Sequence, residues 1–150
     1  MKKIFTILGI LFVFALVFRP PVAGGKLTSW WGLRPGGADG RLFHTGSDIA
    51  QAIGTPVNPI ASGKVQQANS EINDGRGIFV TVSHFGIIQS RYYHLNSLNV
   101  SPGDSVNHKT VIGTVGETGT ATGPHVCLEF RLLGIPLPAF LLTLPGSIFK

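Results

Sequence analysis

After residue 24, glycine and proline recur so often that they cut the chain into pieces of strand length, and this interruption limits the fold more than any other feature. The chain carries 20 glycines and 10 prolines. Glycine loses the most freedom on being ordered, and proline removes a backbone donor, so helices have little room. The pieces Gly63 to Ala68, Ile78 to Ser83, Ile87 to His94, Val111 to Val115 and Val126 to Phe130 alternate or run apolar. Turn signals stand between them at Asn73-Asp74-Gly75, His84-Phe85-Gly86 and Ser101-Pro102-Gly103-Asp104. This spacing predicts an all-β fold, a glycine-rich antiparallel sheet arranged as a sandwich or open barrel. With 43% hydrophobic residues in 150, one domain over residues 25–150 can bury a real core.

The first residues have a different texture. Met1-Lys2-Lys3 is followed by Ile4 to Phe18 without a charge, the basic start and apolar middle of an export signal. As a helix this run spans about 22 Å, short of the ~30 Å hydrocarbon core. Residues 1–24 are therefore expected to be a signal peptide or an uncleaved N-terminal membrane anchor, a hydrophobic helix in either case. Export to the periplasm or the cell exterior follows, with membrane association through residues 4–18. From Leu132 to Lys150 the chain is apolar but broken by proline, which predicts a closing strand and an apolar wrap.

The formal charge of +5 loses three basic residues, Lys2, Lys3 and Arg19, to that leader; the remaining 9 against 7 acidic residues leave +2. No cluster of Lys and Arg alternates with aromatics, so nucleic acid is excluded as the expected partner. A weak attraction to acidic wall polymers is the most this charge supports. The single cysteine, Cys127, cannot form an internal disulfide and is free, a metal ligand, or paired with another chain.

Leu27 to Trp31 reads as a first strand, Arg34 to Gly40 as a loop, Phe43 to Ile49 as an extended turn, and Gly54-Thr55-Pro56-Val57 as a turn into a strand. Period two over Gly123 to Phe130 puts His125, Cys127 and Glu129 on one face and Val126, Leu128 and Phe130 on the other. One face is suited to chemistry and the other to a core. His44 with Asp48, His94, His125 and Cys127 all stand beside turns, where a site can reach substrate. A zinc peptidase site needs three protein ligands, an open position, and groups that move protons. His44, Asp48 and Cys127 offer N, O and S donors; His94 and His125 remain for acid–base and oxyanion work. Taken singly, each histidine is more often a hydrogen-bonded structural residue.

The local motifs go further. Leu27-Thr28-Ser29-Trp30-Trp31-Gly32-Leu33-Arg34, Phe43-His44-Thr45-Gly46-Ser47-Asp48-Ile49-Ala50, Gly54-Thr55-Pro56-Val57, Ile78 to His84, Tyr92-Tyr93-His94-Leu95 and Gly113 to Gly119 through Thr122-Gly123-Pro124-His125 occur in one order. In this the chain resembles the lysostaphin-type, or LytM-type, zinc metallopeptidases that cut peptide bonds in peptidoglycan. The resemblance implies one zinc ion held by His44, Asp48 and the residue at 127, with His94 and His125 catalytic. It implies peptidoglycan cross-bridge or stem peptides as substrate. The chain departs from the family at His125-Val126-Cys127, where the family has H-x-H. Thiolate is a legitimate zinc ligand, with Zn–S near 2.3 Å. Two anionic ligands make the site more electron-rich and the bound water less acidic. The alternatives are a metal-free family member that binds wall or regulates a hydrolase, and a membrane-held phage component for wall penetration.

Of the remaining candidates, His84 is expected to make a structural hydrogen bond and His108 to be a solvated turn residue. Glu129 is expected to support the site without direct ligation. Arg34 is expected to pair with an acid, and either Tyr92 or Tyr93 could assist an oxyanion.

Overall fold

A computed structural model describes residues 18–35, 42–70 and 75–139. Its strands are β1 (Lys26–Ser29), β2 (Gly32–Leu33), β3 (Phe43–His44), β4 (Ser47–Ala50), β5 (Pro56–Val57), β6 (Gly63–Asn69), β7 (Ile78–His84), β8 (Ile88–Leu98), β9 (Ser105–Val106), β10 (Gly113–Val115), β11 (His125–Leu132) and β12 (Ile135–Leu137). There is no α-helix among the described residues. All pairings are antiparallel. Ten strands form one sheet in the order β1-β4-β11-β8-β7-β6-β9, with β10 bridging β5 and β8 and β12 on β11; β2 and β3 make a separate ribbon.

The expected all-β antiparallel architecture is the one observed. The segment read as an extended turn holds two short strands, β3 and β4, around Thr45-Gly46. Residues 1–17, most of the segment 1–24 expected to be a signal peptide or membrane anchor, lie outside the described residues, as do 36–41, 71–74 and the tail from 140.

Strand alternation builds the core. Val80 and Val82 of β7, Tyr92 and Leu95 of β8, and Val126, Leu128 and Phe130 of β11 are buried together with Val57, Ile60, Ile112 and Val115. The opposite face of the same strands carries Phe79, Tyr93 and Cys127, a second small cluster. The segment before β1 belongs to this body. Phe18 and Val22 are buried in the core, Phe18 meets Phe130 and His84 edge-on, and Arg19 N–H donates to the Ile60 carbonyl.

The longest strand, β8, changes partners along its length. Residues 88–93 pair with β11, from Ile88↔Leu132 to Tyr93↔Cys127. Beyond them, Leu95, Ser97 and Leu98 pair with Val115, Thr114 and Gly113 of β10. The handover falls at His94, a non-glycine residue with φ 64°. There the register with β7 slips by one, from Val80↔Tyr92 to Ile78↔Leu95. Such a bulge breaks the two-residue alternation. Tyr93 and His94 consequently both face away from the core, while Tyr92 and Leu95 on either side face into it.

His84 is fully buried, as a structural residue should be when all its polar atoms are satisfied. Its Nδ1 contacts the Ser62 carbonyl at 2.9 Å and its Nε2 the Ser90 hydroxyl at 2.7 Å. Ser90 donates to the Tyr92 hydroxyl, which also accepts from Ile60 N–H. Burial pushes the His84 pKa below its ordinary 6.5, against the smaller opposing effect of the Ser62 carbonyl. The unfolded chain therefore binds this proton more readily than the folded one, and stability falls as pH drops below about 6.5 toward the folded value. Thermal melts between pH 7.5 and 5 should show this decline, and the His84→Gln variant should show a shallower one.

Candidate metal centre

The site lies at the fork where β10 and β11 part from β8. Gly116 and His125 form a bridge at the crotch, with His125 N–H donating to the Gly116 carbonyl at 3.1 Å. Cys127 of β11 stands directly across from Asp48 of β4 on one side and Tyr93 of β8 on the other. His44 comes from the β2–β3 ribbon, where it pairs with Gly32, and the ribbon is fastened by Trp31 meeting Phe43 edge-on at 4.8 Å. Thr45-Gly46 then carries the chain into β4. A Cβ on residue 46 would lie 2.5 Å from Cys127 Sγ and 3.0 Å from the Leu128 carbonyl oxygen, so only glycine lets the His44 turn sit this close to β11.

His44 Nε2 lies 3.2 Å from Cys127 Sγ and 3.1 Å from Asp48 Oδ1. One donor atom from each of the three residues falls within 4.8 Å of the others, and all three side chains are buried, a grouping that could hold a metal ion. His125 Nε2 is 3.7 Å from the same Asp48 oxygen. The His94 and His125 rings are 4.8 Å apart between centroids.

The three histidines are tied down in one way. Nδ1 of His44 faces the Trp30 carbonyl at 3.1 Å, that of His94 the Thr118 carbonyl at 2.7 Å, and that of His125 the Gly123 carbonyl at 2.8 Å. A carbonyl can only accept, so each Nδ1 carries the proton and donates it. When neutral, each ring then presents Nε2 as a lone pair. At His44 this lone pair confronts a carboxylate oxygen at 3.1 Å, two acceptors that need a cation or a proton between them. The donor set therefore fits a divalent metal, and imidazole, carboxylate and thiolate are all known zinc ligands.

The two acidic groups are pushed in opposite directions. Burial would raise the Asp48 pKa, but when the rings are protonated the hydrogen bond from His44 and the charges of His44 and His125 outweigh it, and Asp48 is held below the usual carboxylate value. Burial first, then the charge and hydrogen bond of Asp48, push the Cys127 thiol well up, while Arg34 pulls it the other way. Arg34 Nη2 lies 3.5 Å from Asp48 Oδ2, the acid partner expected of it. Burial, the largest influence, lowers the His94 pKa, which keeps it a neutral base near pH 7.

Every residue singled out for the site, His44, Asp48, His94, His125 and Cys127, is brought to this fork. His84 lies on the other side of the sheet in the core, and His108 is exposed in a turn, both as expected. Between the tyrosines the structure separates the roles. Tyr92 is inside the core; Tyr93 faces the groove, and burial followed by the Glu129 charge pushes its phenol up to about 12. Glu129 bonds no histidine. It accepts from Thr45, Tyr93 and Arg131 and lies 3.6 Å from Arg91 Nη1.

Thr45, Arg91 and Arg131 were not legible as site residues from motif alone. Continuing the period-two pattern one step, 127, 129, 131 on β11 and 93, 91 on β8, does find both arginines. A cavity of about 460 Å³ runs from His44, His94 and Cys127 to these residues.

Residues 42–138 match the profile of Peptidase family M23. The chain is 34% identical over 102 residues to the peptidoglycan DD-endopeptidase ShyA of Vibrio cholerae, an alignment covering 68% of this chain and 23% of that protein. It superposes on a zinc-containing peptidase from Vibrio cholerae with a TM-score of 0.75 at 28% identity, covering 88% of this chain and 40% of that one. The catalytic domain of lysostaphin from Staphylococcus simulans superposes with a TM-score of 0.70 at 32% identity, covering 78% of this chain and 92% of the domain. The chain spans less than a quarter of the length of the curated relatives it matches.

If His44, Asp48 and Cys127 hold a metal, the purified protein carries one equivalent of it. Cys127→Ala should lose that metal while keeping the far-ultraviolet circular dichroism of the folded sheet, measured beside elemental analysis.

Proposed function

The chain belongs to peptidase family M23, and from that premise we propose that it is a zinc metalloendopeptidase that hydrolyses peptide bonds in bacterial peptidoglycan. The observation that carries the reading is the convergence of three lone-pair donors, His44 Nε2, Asp48 Oδ1 and Cys127 Sγ, beside two further histidines held in one tautomer. The relatives support the substrate class, since ShyA is a peptidoglycan DD-endopeptidase and the matching Neisseria protein Mpg is a DD-carboxypeptidase/endopeptidase.

His44, Asp48 and Cys127 would hold one zinc ion. Zinc in such a setting supplies Lewis acidity, polarising the scissile carbonyl and making water a competent nucleophile near neutral pH. His94 and His125 do the proton work. His125 offers Nε2 toward Asp48, the His94 ring stands beside it, and each is fixed by its Nδ1 donation, so neither ring has to turn during the reaction. One Nε2 takes the proton of the attacking water, and an imidazolium of the pair donates to the developing oxyanion and then to the leaving amine. Tyr93, a phenol at any ordinary pH, keeps its proton on the bond to Glu129.

Two anionic ligands, Asp48 and Cys127, put more negative charge on the metal than a site with a second histidine would. Arg34 beside Asp48 returns part of the positive charge. The substrate lies outside the cytoplasmic membrane, and the basic, apolar first 18 residues would direct the chain there.

Purified peptidoglycan incubated with the zinc-loaded protein should release new amino groups, and a chelator should stop the release. His94→Ala and His125→Ala should each lower kcat by about 10²–10⁴-fold with zinc content unchanged. Cys127→His should retain zinc and cut faster, because a neutral ligand leaves the water more acidic. A metal-free protein that cuts no wall under any zinc supply would overturn the reading in favour of a wall-binding or regulatory module.

A further inference from the structure

We infer that the far end of the groove is a carboxylate-binding subsite, selecting peptides with a free carboxylate two to four residues from the bond that is cut. This rests on the peptidase reading above and names the substrate chemistry within it.

The groove floor is laid out by strand register. Cys127 pairs with Tyr93, Glu129 with Arg91, and Arg131 with Gln89. On one face of a strand, successive positions are about 7 Å apart. Arg91 with Glu129 therefore stands about 7 Å from the metal ligand along the floor, and Arg131 about 13 Å. An extended peptide lying on this floor advances at the same rate. A group two to four residues from the scissile carbonyl falls on the arginines.

Charge at that end is unbalanced. Among the described residues lining the cavity beyond the metal ligands, two guanidiniums, Arg91 and Arg131, share the one carboxylate of Glu129. Arg76 is stacked over Phe79 at 4.3 Å. Glu129 is buried and shared: its Oε1 accepts from Arg131 Nε at 2.6 Å and from the Tyr93 hydroxyl at 3.3 Å, and Thr45 donates to its Oε2. Arg91 gets the least of it. Its Nη1 is 3.6 Å from Glu129, its Nη2 is 3.4 Å from Gln89 Oε1, and its buried Nε has no hydrogen-bond partner among the described residues.

Those contacts are at or beyond the limit of a hydrogen bond. Apart from a hydrogen bond with the Tyr93 hydroxyl, the Arg91 guanidinium is thus held in the cavity wall by long contacts. A carboxylate in the groove that engages two guanidinium N–H groups at once makes shorter, charge-assisted hydrogen bonds than these long contacts. Glu129 serves to hold the arginines in place, since it already accepts from Arg131, Tyr93 and Thr45. A neutral, glycine-only peptide offers nothing to this end of the groove.

The test compares purified peptidoglycan with its carboxylates free and the same material with its carboxylates converted to amides, using the full zinc-loaded chain in detergent. The free-acid wall should be cut with a kcat/KM about 10- to 100-fold higher, the size of a charge-assisted hydrogen bond, with the difference in KM. Arg91→Gln and Arg131→Gln should bring the ratio near one, and Arg91→Lys should retain part of it. Equal kcat/KM on the two walls, with the unmodified protein, overturns the inference and leaves the peptidase reading standing. If neither wall is cut, the peptidase reading fails and calorimetry decides the subsite by itself. Stem peptides purified from those walls should bind as acids and not as amides, and no difference between the two overturns it.

Discussion

The ladder of β8 has to change partners, and the site depends on where it does so. A regular strand would keep β11 alongside it and alternate its side chains without a break. The left-handed turn of the backbone at His94 ends the pairing with β11, admits β10, and puts two consecutive side chains on one face. A non-glycine residue in that conformation costs of order 1–3 kcal/mol, and such strain persists only where the surroundings enforce it. Here His94 N–H donates to the Arg76 carbonyl at 2.9 Å and its ring donates to Thr118. The same residue that opens the fork also occupies it.

Preorganisation at this fork comes from backbone carbonyls. Trp30, Thr118 and Gly123 each take an Nδ1 proton; Trp30 lies between β1 and β2, and Thr118 and Gly123 lie in the loop between β10 and β11. Side-chain packing alone would leave imidazoles free to flip; a carbonyl acceptor fixes both the rotamer and the tautomer. Cys127 needs no such anchor. Its Sγ is placed by the strand itself, opposite Asp48 and against Gly46, and a short side chain leaves it little freedom to lose.

Much of this could be read from the residues. Glycine and proline spacing carried the strand order of β6, β7, β8 and β11, and period two over Gly123 to Phe130 separated the core residues Val126, Leu128 and Phe130 from Cys127 and Glu129. The motifs around His44, His94 and His125 placed every member of the candidate site. Two things were hidden by the physics. The bulge at His94 has no glycine or proline to announce it, because its conformation is imposed by Arg76, Thr118 and the parting of β10 from β11. Arg91 and Arg131 gather around Glu129 only through the pairing of β8 with β11, a contact between residues far apart in sequence. The segment Phe43 to Ile49 concealed its short strands because Thr45-Gly46 gives a turn signal in their midst.

Phe18 and Val22 lie in the core, and Arg19 and Pro21 are hydrogen-bonded to residues 60 and 58. The body of the fold thus includes the residue at which the apolar run Ile4 to Phe18 ends in the sequence. A cut near residue 24 would take two core side chains, Phe18 and Val22, away with the segment it removed.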